Sequence, residues 1–393
     1  MLKVRPPVLR RAFSTAKEAS GKHVPWGGLG SGTYTAATKG CFDVIARTQP
    51  LVQNALSRAL SARQAAGTAN VTPFAIADFG TADGGTSIPL IRSVVEAIRA
   101  VEPEAPIVVH YEDQAQNDWQ SLFKLVHGDL PGGPQTYMDG SFGNVYVLAT
   151  GASFYQPCFA PASIDFAFCA TAMHWLTTVP ARIPDAIHSA CSTDAPTLAK
   201  FAAQAATDWE AILVRRAHEL KPGGQFVVAN FAICDDGHFL GKSGRVAESM
   251  HHTFSELWLD VAGAEVHGAT NFCNEYRSLE ACAAPFEAKG SVVSAAGLKL
   301  LSAETDLVPC PFHLEWERGE VTDPKTQAAN FVPTTRTWSN STFVSGAEVC
   351  GHSPEVAAGM ADEMFARYEA RVAAAPGDHA MDYTHSYLHI AKE

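Results

Sequence analysis

The 393-residue sequence has no uninterrupted apolar run of the 18 or more residues that a membrane-spanning helix requires, and its mean hydropathy is -0.02. No membrane association is expected. Its nine cysteines (Cys41, Cys158, Cys169, Cys191, Cys234, Cys273, Cys282, Cys310 and Cys350) are odd in number, scattered, and never spaced C-x-x-C. That pattern excludes a disulfide framework, points to no metal site, and suits a reducing compartment. Positive charge is scarce too: 29 lysines and arginines face 41 acids, a net charge of -12. The first 22 residues hold six of the basic residues and one acid, so the remainder carries 23 basic and 40 acidic residues, or -17. A body this acidic repels phosphate backbones, and no nucleic-acid partner is expected. Missing as well are the G-x-G-x-x-G of a dinucleotide site and the G-x-x-x-x-G-K-[ST] of a phosphate loop, which disfavours a nicotinamide oxidoreductase.

What is present is an ordinary globular composition, 47% hydrophobic and 18% charged, enough for a real core. Residues 1–22 are rich in Arg and Ser and nearly free of acids, as in an organellar transit peptide. The expected location is therefore a mitochondrion or plastid, and otherwise the cytoplasm. Beyond it, apolar runs at 74–80, 106–111, 163–169, 225–230 and 386–390 read as strands, and 87–101 as an amphipathic helix. A further helix ends at Leu220-Lys221-Pro222-Gly223-Gly224, and another spans 354–373. Strands alternating with helices predict a parallel sheet. Between 234 and 306 a mixed helical pattern replaces the strand rhythm. Residues 307–353, rich in Pro, Thr, Ser and Asn, read as an irregular cap over the carboxyl ends of the strands.

The loop after the first strand, Asp78-x-Gly80-Thr81-x-x-Gly84-Gly85-Thr86, is glycine-rich yet has no phosphate logic. It suits a nucleoside joined to an amino-acid moiety, and S-adenosylmethionine is the obvious candidate: glycine lets the methionine part lie against the backbone. Asp113, ending the second strand, can accept both ribose hydroxyls.

From these residues outward, the chain resembles the plant-type SABATH methyltransferases, which methylate carboxyl groups of small molecules and, in some branches, xanthine nitrogens. Gly27-Gly28-Leu29-Gly30-Ser31-Gly32-Thr33-Tyr34 is similar to that family's amino-terminal segment, and Ile76 to Gly84 to its cofactor loop. Tyr111-Glu112-Asp113-Gln114-Ala115-Gln116-Asn117-Asp118-Trp119 resembles its L-N-D-L stretch. Ser153-Phe154-Tyr155, Ser163-Ile164-Asp165-Phe166 and Met173-His174-Trp175-Leu176 follow at family spacing, then Asp208-Trp209 and Glu219-Leu220-Lys221-Pro222-Gly223-Gly224. The resemblance implies an α/β fold, a Rossmann-like class I methyltransferase core with a mainly helical cap. Its segments would be a transit peptide (1–22), the core (23–233), a cap with one late core strand (234–353), and a helix and strand completing the core (354–393).

The resemblance implies S-adenosylmethionine as cofactor, held by Tyr34, Asp78, Gly80, Thr81, Gly84, Thr86, Asp113, Gln114, Ser153, Phe154, Cys169 and Ala170. His174 and Trp175 would orient the acceptor carboxylate, within a pocket walled by Cys41, Thr171, Met173 and Trp258. The family habit is a homodimer. Three positions depart from the pattern: the glutamine that helps hold the acceptor aligns with Cys41, a tyrosine with Thr171, and the loop asparagine with Thr86. Cysteine is a poor donor, so one clamp on the substrate is missing or replaced. The implied reaction is in-line displacement at a sulfonium, which needs no metal or base when the acceptor is an ionised carboxylate. A small methylthio or thiol acid methylated on sulfur, and a non-catalytic protein that binds S-adenosylmethionine, are the alternatives.

Overall fold

The computed structural model describes residues 25–393; the expected transit segment lies outside them. Seven strands form one sheet: β1 (Phe74–Phe79), β2 (Ile107–Asp113), β3 (Val145–Gly151), β4 (Ile164–Ala170), β5 (Leu220–Phe231), β6 (Leu298–Val308) and β7 (Tyr383–Lys392), in the order β3-β2-β1-β4-β5-β7-β6. Strands β3 to β5 are mutually parallel, and β7 runs antiparallel to both β5 and β6. Every residue of β1 is buried, as expected of a strand with helices on both faces. One face packs on helices Gln49–Ala65, Ile88–Val101 and Trp119–His127, the other on Ala195–Glu219 and Leu279–Glu287. Helix Ile88–Val101 presents Ile88, Ile91, Val94, Val95 and Ile98 to the sheet at helical spacing, with Pro89 tolerated in its first turn.

Two strands, β3 and β6, have no residues assigned from the sequence, and one of them, β6, lies within 234–353, where a late core strand is expected. Both are edges. β3 leaves Tyr146 and Leu148 half exposed, and β6 carries Lys299, Glu304 and Asp306 and, among the described residues, pairs with β7 alone. Pairing to a distant partner, not local pattern, makes them strands. The helix expected to end at 220–224 stops at Glu219, and those residues are drawn into β5 with a bulge, since Ile164 pairs with Leu220 but Phe166 with Gln225.

The region 307–353 is not irregular: it contains helices Pro311–Glu317 and Pro324–Val349. Asp323 caps the long one, accepting from Thr326 N at 2.9 Å, and Pro324 starts it. Three of its buried hydroxyl residues bond backward along the helix: Thr335 to Val332 O at 2.8 Å, Thr337 to Thr334 O at 2.8 Å, and Ser339 to Thr335 O at 2.6 Å. A composition typical of loops is thus satisfied inside a helix. Helices Met250–Ala269, Pro324–Val349 and Pro354–Ala374 pack on one another around Phe254, Trp258, Phe343 and Tyr368, forming the cap. Among the described residues no helix is long and apolar enough to cross a membrane.

Candidate functional site

A cavity of about 750 Å³ opens between the carboxyl ends of β1, β2 and β4 and the cap, a size suited to a nucleoside cofactor plus a small acceptor. Its walls come from many elements, and the first is the loop after β1. Gly80 has φ +67°, and a Cβ there would stand 2.2 Å from the Cβ of Ala172. Only glycine permits both the left-handed backbone and that approach. Its N–H donates to Glu112 O at 2.8 Å, which ties the loop to β2. Ala82, also at positive φ (51°), donates its N–H to Asp113 Oδ2 at 2.8 Å.

Asp113 also accepts from Gln114 N through Oδ1 at 2.7 Å. Each of its oxygens keeps a lone pair for a hydroxyl donor. Burial raises this carboxyl to about 6, opposed by those two backbone donors. Its neighbour Glu112, fully buried, is pushed up to about 8, first by burial and then by Asp113. Both carboxyls line the cavity, whereas no lysine or arginine does among the described residues. A phosphate-bearing cofactor would find acids and no cation here; a cofactor with ribose hydroxyls and an ammonium finds acceptors. The residues therefore fit S-adenosylmethionine.

The amino-terminal segment is strapped over this end. Gly30 N donates to the Asp118 carboxylate at 3.0 Å and Gly32 N to Ser121 Oγ at 2.8 Å. Asp118 at the same time caps helix Trp119–His127. Thr35 binds Asp83 through its backbone N at 2.9 Å and its hydroxyl at 2.5 Å. These bonds bring Tyr34 to the cavity, where its hydroxyl meets the Cys41 thiol. Burial raises the Cys41 thiol to about 11, so it stays protonated and is no nucleophile.

The acceptor end is built around His174 and Trp175. The backbone there is held by residues 273–277: Glu275 N donates to His174 O at 3.0 Å, Leu176 N to Cys273 O at 2.8 Å, and Arg277 Nη1 to Met173 O at 2.9 Å. The Tyr155 hydroxyl donates to Trp175 O. His174 lies edge-on to Phe231, with ring centroids 4.9 Å apart, and 6.0 Å from Tyr276. Tyr276 in turn pairs with buried His251 at 3.1 Å. Thr171 sits at φ +60°, strained for a β-branched residue, with its hydroxyl 3.1 Å from His385 Nε2.

Of the residues singled out by sequence, Tyr34, Cys41, Gly80, Asp113, Gln114, Ser153, Phe154, Thr171, His174 and Trp175 all line this one cavity. Eight others do not. Asp78 lies beneath the loop, binding Ser87 Oγ at 2.6 Å and Thr81 Oγ1 at 3.1 Å, so Asp78 and Thr81 support the loop from below. Gly84 packs where a Cβ would meet Leu122 at 2.3 Å, and Thr86 is buried. Cys169 and Ala170 pack into the hydrophobic layers at the end of β4, and Met173 is fully buried against the sheet. Trp258 is fully buried among cap aromatics, its indole donating to Thr270 Oγ1 at 2.8 Å; it is core and not pocket wall.

The sequence reading missed Glu112, Phe231, Asn274, Tyr276, Trp338 and Tyr383, all of which line the cavity. Their signal was tertiary: Trp338 stands on a helix read as irregular, and Tyr383 begins a strand read only from 386. Outside the cavity lining, Cys234, Asp236 and His238 bring ligand atoms within 4.8 Å of one another on the turn after β5, a grouping that pair-spacing rules overlook.

A family model for SAM dependent carboxyl methyltransferases matches residues 22–262. Loganic acid O-methyltransferase of Catharanthus roseus is 28% identical over 231 residues, 55% of this chain and 57% of that protein. An O-methyltransferase of Aspergillus aculeatus is 32% identical over 164 residues, 41% of this chain and 40% of its own length. The chain thus spans about half the length of these curated relatives. Jasmonate O-methyltransferase of Arabidopsis thaliana is 23% identical over 67% of this chain and 70% of that protein. A solved structure, loganic acid methyltransferase with SAH, covers 95% of this chain and 99% of its own with a TM-score of 0.66 at 18% identity, showing the same fold. The match over residues 22–262, on a class I core whose cavity suits the cofactor, means that the chain belongs to the SAM dependent carboxyl methyltransferase family.

Proposed function

We propose that this protein methylates a carboxylate oxygen of a small-molecule acid, giving a methyl ester. The observation that carries the reading is the chemistry of the acceptor end: hydroxyl, indole and imidazole groups on an aromatic wall, with neither lysine nor arginine among the described lining residues. A carboxylate is already ionised at neutral pH, so it needs donors to place it and no base to activate it. Bound S-adenosylmethionine supplies the methyl group on a positive sulfonium. Tyr34, Gly80, Asp113, Gln114, Ser153 and Phe154 hold the cofactor in this reading, and Asp113, ionised at neutral pH, complements its positive charge beside a protonated Glu112. His174 and Trp175 orient the acceptor, Cys41 and Thr171 wall it, and the cap excludes water.

The test is transfer of label from S-adenosylmethionine to pools of aromatic, terpenoid and methylthio acids, with Trp175→Ala alongside. Base-labile product that disappears in the variant, while cofactor binding persists, supports the reading. Base-stable product would select sulfur methylation, which the thiol and rings of Cys41, Phe231 and Tyr276 could also accommodate. Cofactor binding with no product from any pool would select the non-catalytic alternative. We further propose, from the basic segment 1–22, delivery to a mitochondrion or plastid, and, from the family habit, a homodimer. Imaging of a fluorescent fusion with and without that segment tests the first, and light scattering the second.

A further inference from the structure

The resemblance leaves one clamp on the acceptor unfilled, since Cys41 stands where the family has a donor amide. Tyr383, the first residue of β7, reaches the same place from the opposite end of the chain. Its ring lies over Gly40: a Cβ on that glycine would come within 2.3 Å of Cε2 and 2.4 Å of Cζ and Oη. The absence of a side chain at residue 40 is thus what admits the phenol beside Cys41. Tyr383 is fully buried and lines the cavity, yet among the described residues its hydroxyl has no hydrogen-bond partner. Buried hydroxyls are rarely left so, and a ligand in the cavity that Tyr383 lines would supply the missing partner. Burial, reinforced by Cys41, Cys310 and Tyr34, holds the phenol well above its usual range, so it remains a donor. Phe231 spans the remaining distance: it stacks on Tyr383 at 6.3 Å and 12°, and meets His174 at 4.9 Å. Tyr383 and the His174-Trp175 pair therefore flank the same ring.

We propose that the Tyr383 hydroxyl is a second donor to the acceptor carboxylate, taking the place of the amide that Cys41 does not supply. The proposal rests on the carboxyl-methylation reading and names a residue beyond the motifs through which the chain resembles the family. Tyr383→Phe removes the hydroxyl and keeps the ring. With indole-3-acetic, jasmonic and loganic acids as probes, KM for any acid turned over rises about 10- to 100-fold, as for loss of a hydrogen bond to a charged group. The Kd for S-adenosylmethionine and the melting temperature hold. Adding Cys41→Gln to Tyr383→Phe restores a donor on the adjacent helix and recovers at least part of that loss. A KM within twofold of the parent overturns the proposal. So does a parallel loss of cofactor affinity, which marks a packing role, and a double variant no better than Tyr383→Phe overturns the substitution for Cys41. If the parent protein neither methylates these acids nor binds them when loaded with S-adenosylhomocysteine, the carboxylate reading falls and this inference with it; a failure confined to the variants leaves that reading standing.

Discussion

Asp113 joins the cofactor loop to the cofactor itself, so replacing it by asparagine should be read in binding before it is read in turnover. In the protein its two oxygens accept Ala82 N at 2.8 Å and Gln114 N at 2.7 Å. An asparagine keeps one acceptor and turns an NH2 group toward the other donor, and it removes the charge that strengthens bonds from ribose hydroxyls. Loss of one charge-assisted bond costs about 1.5–3 kcal/mol, which is a rise of roughly 10- to 150-fold in Kd for S-adenosylmethionine. The pH dependence adds a second signature. The carboxyl is raised to about 6 in the free protein, and hydroxyl donors prefer its ionised form. Affinity therefore weakens as pH falls through 6, by up to about tenfold per unit, and Asp113→Asn lacks this limb. Calorimetric titration between pH 5 and 8 reads both effects, with melting temperatures as a check on folding. A Kd for the parent that is flat across this range, or a variant within threefold of it at pH 7.5, would refute the assignment of Asp113 to the ribose.

Gly80→Ala meets both a positive φ and a 2.2 Å approach to Ala172; cofactor affinity should fall at least about tenfold, and Ala172→Gly should relieve only the steric part. Binding that survives Gly80→Ala unchanged would contradict the loop geometry. Without ligand, stability should fall as pH rises from 6.5 to 8: Asp78 (about 7), Glu112 (about 8) and Glu275 (about 7) stay protonated when folded at pH values that ionise them in the unfolded chain, so the unfolded state holds fewer protons. Below pH 6.5 this slope is opposed, because His188 (about 3), His385 (about 3) and His389 (about 4) stay neutral when folded while the unfolded chain protonates them, so the pH dependence flattens there. Melting temperatures that rise between pH 6.5 and 8 would refute the assignment, and Glu112→Gln should flatten that limb. Trp258→Phe should lower stability by about 1–3 kcal/mol, through lost packing and the bond to Thr270, and leave KM for the acceptor alone; a KM change above threefold would return Trp258 to the pocket wall.

The central sheet and the cofactor end of the cavity are legible along the chain. Buried parallel strands such as β1 are written as continuous apolar runs, and the glycine at 80 and the acid at 113 sit at fixed offsets from strand ends, so local chemistry and spacing announce them. The same spacing overreached where a side chain turns under the loop or into the core: Asp78, Thr81 and Met173 flank the site in sequence but face away from it. The sheet edges and the acceptor end arise from contacts between distant segments. β3 and β6 become strands by pairing with distant partners, and a threonine-rich segment becomes helix Pro324–Val349 because its hydroxyls are satisfied within it. Tyr383, Trp338, Asn274 and Phe231 reach one cavity from four segments between 231 and 383. No periodicity along the chain encodes that convergence, because it is a property of how β7 and the cap close over β4 and β5.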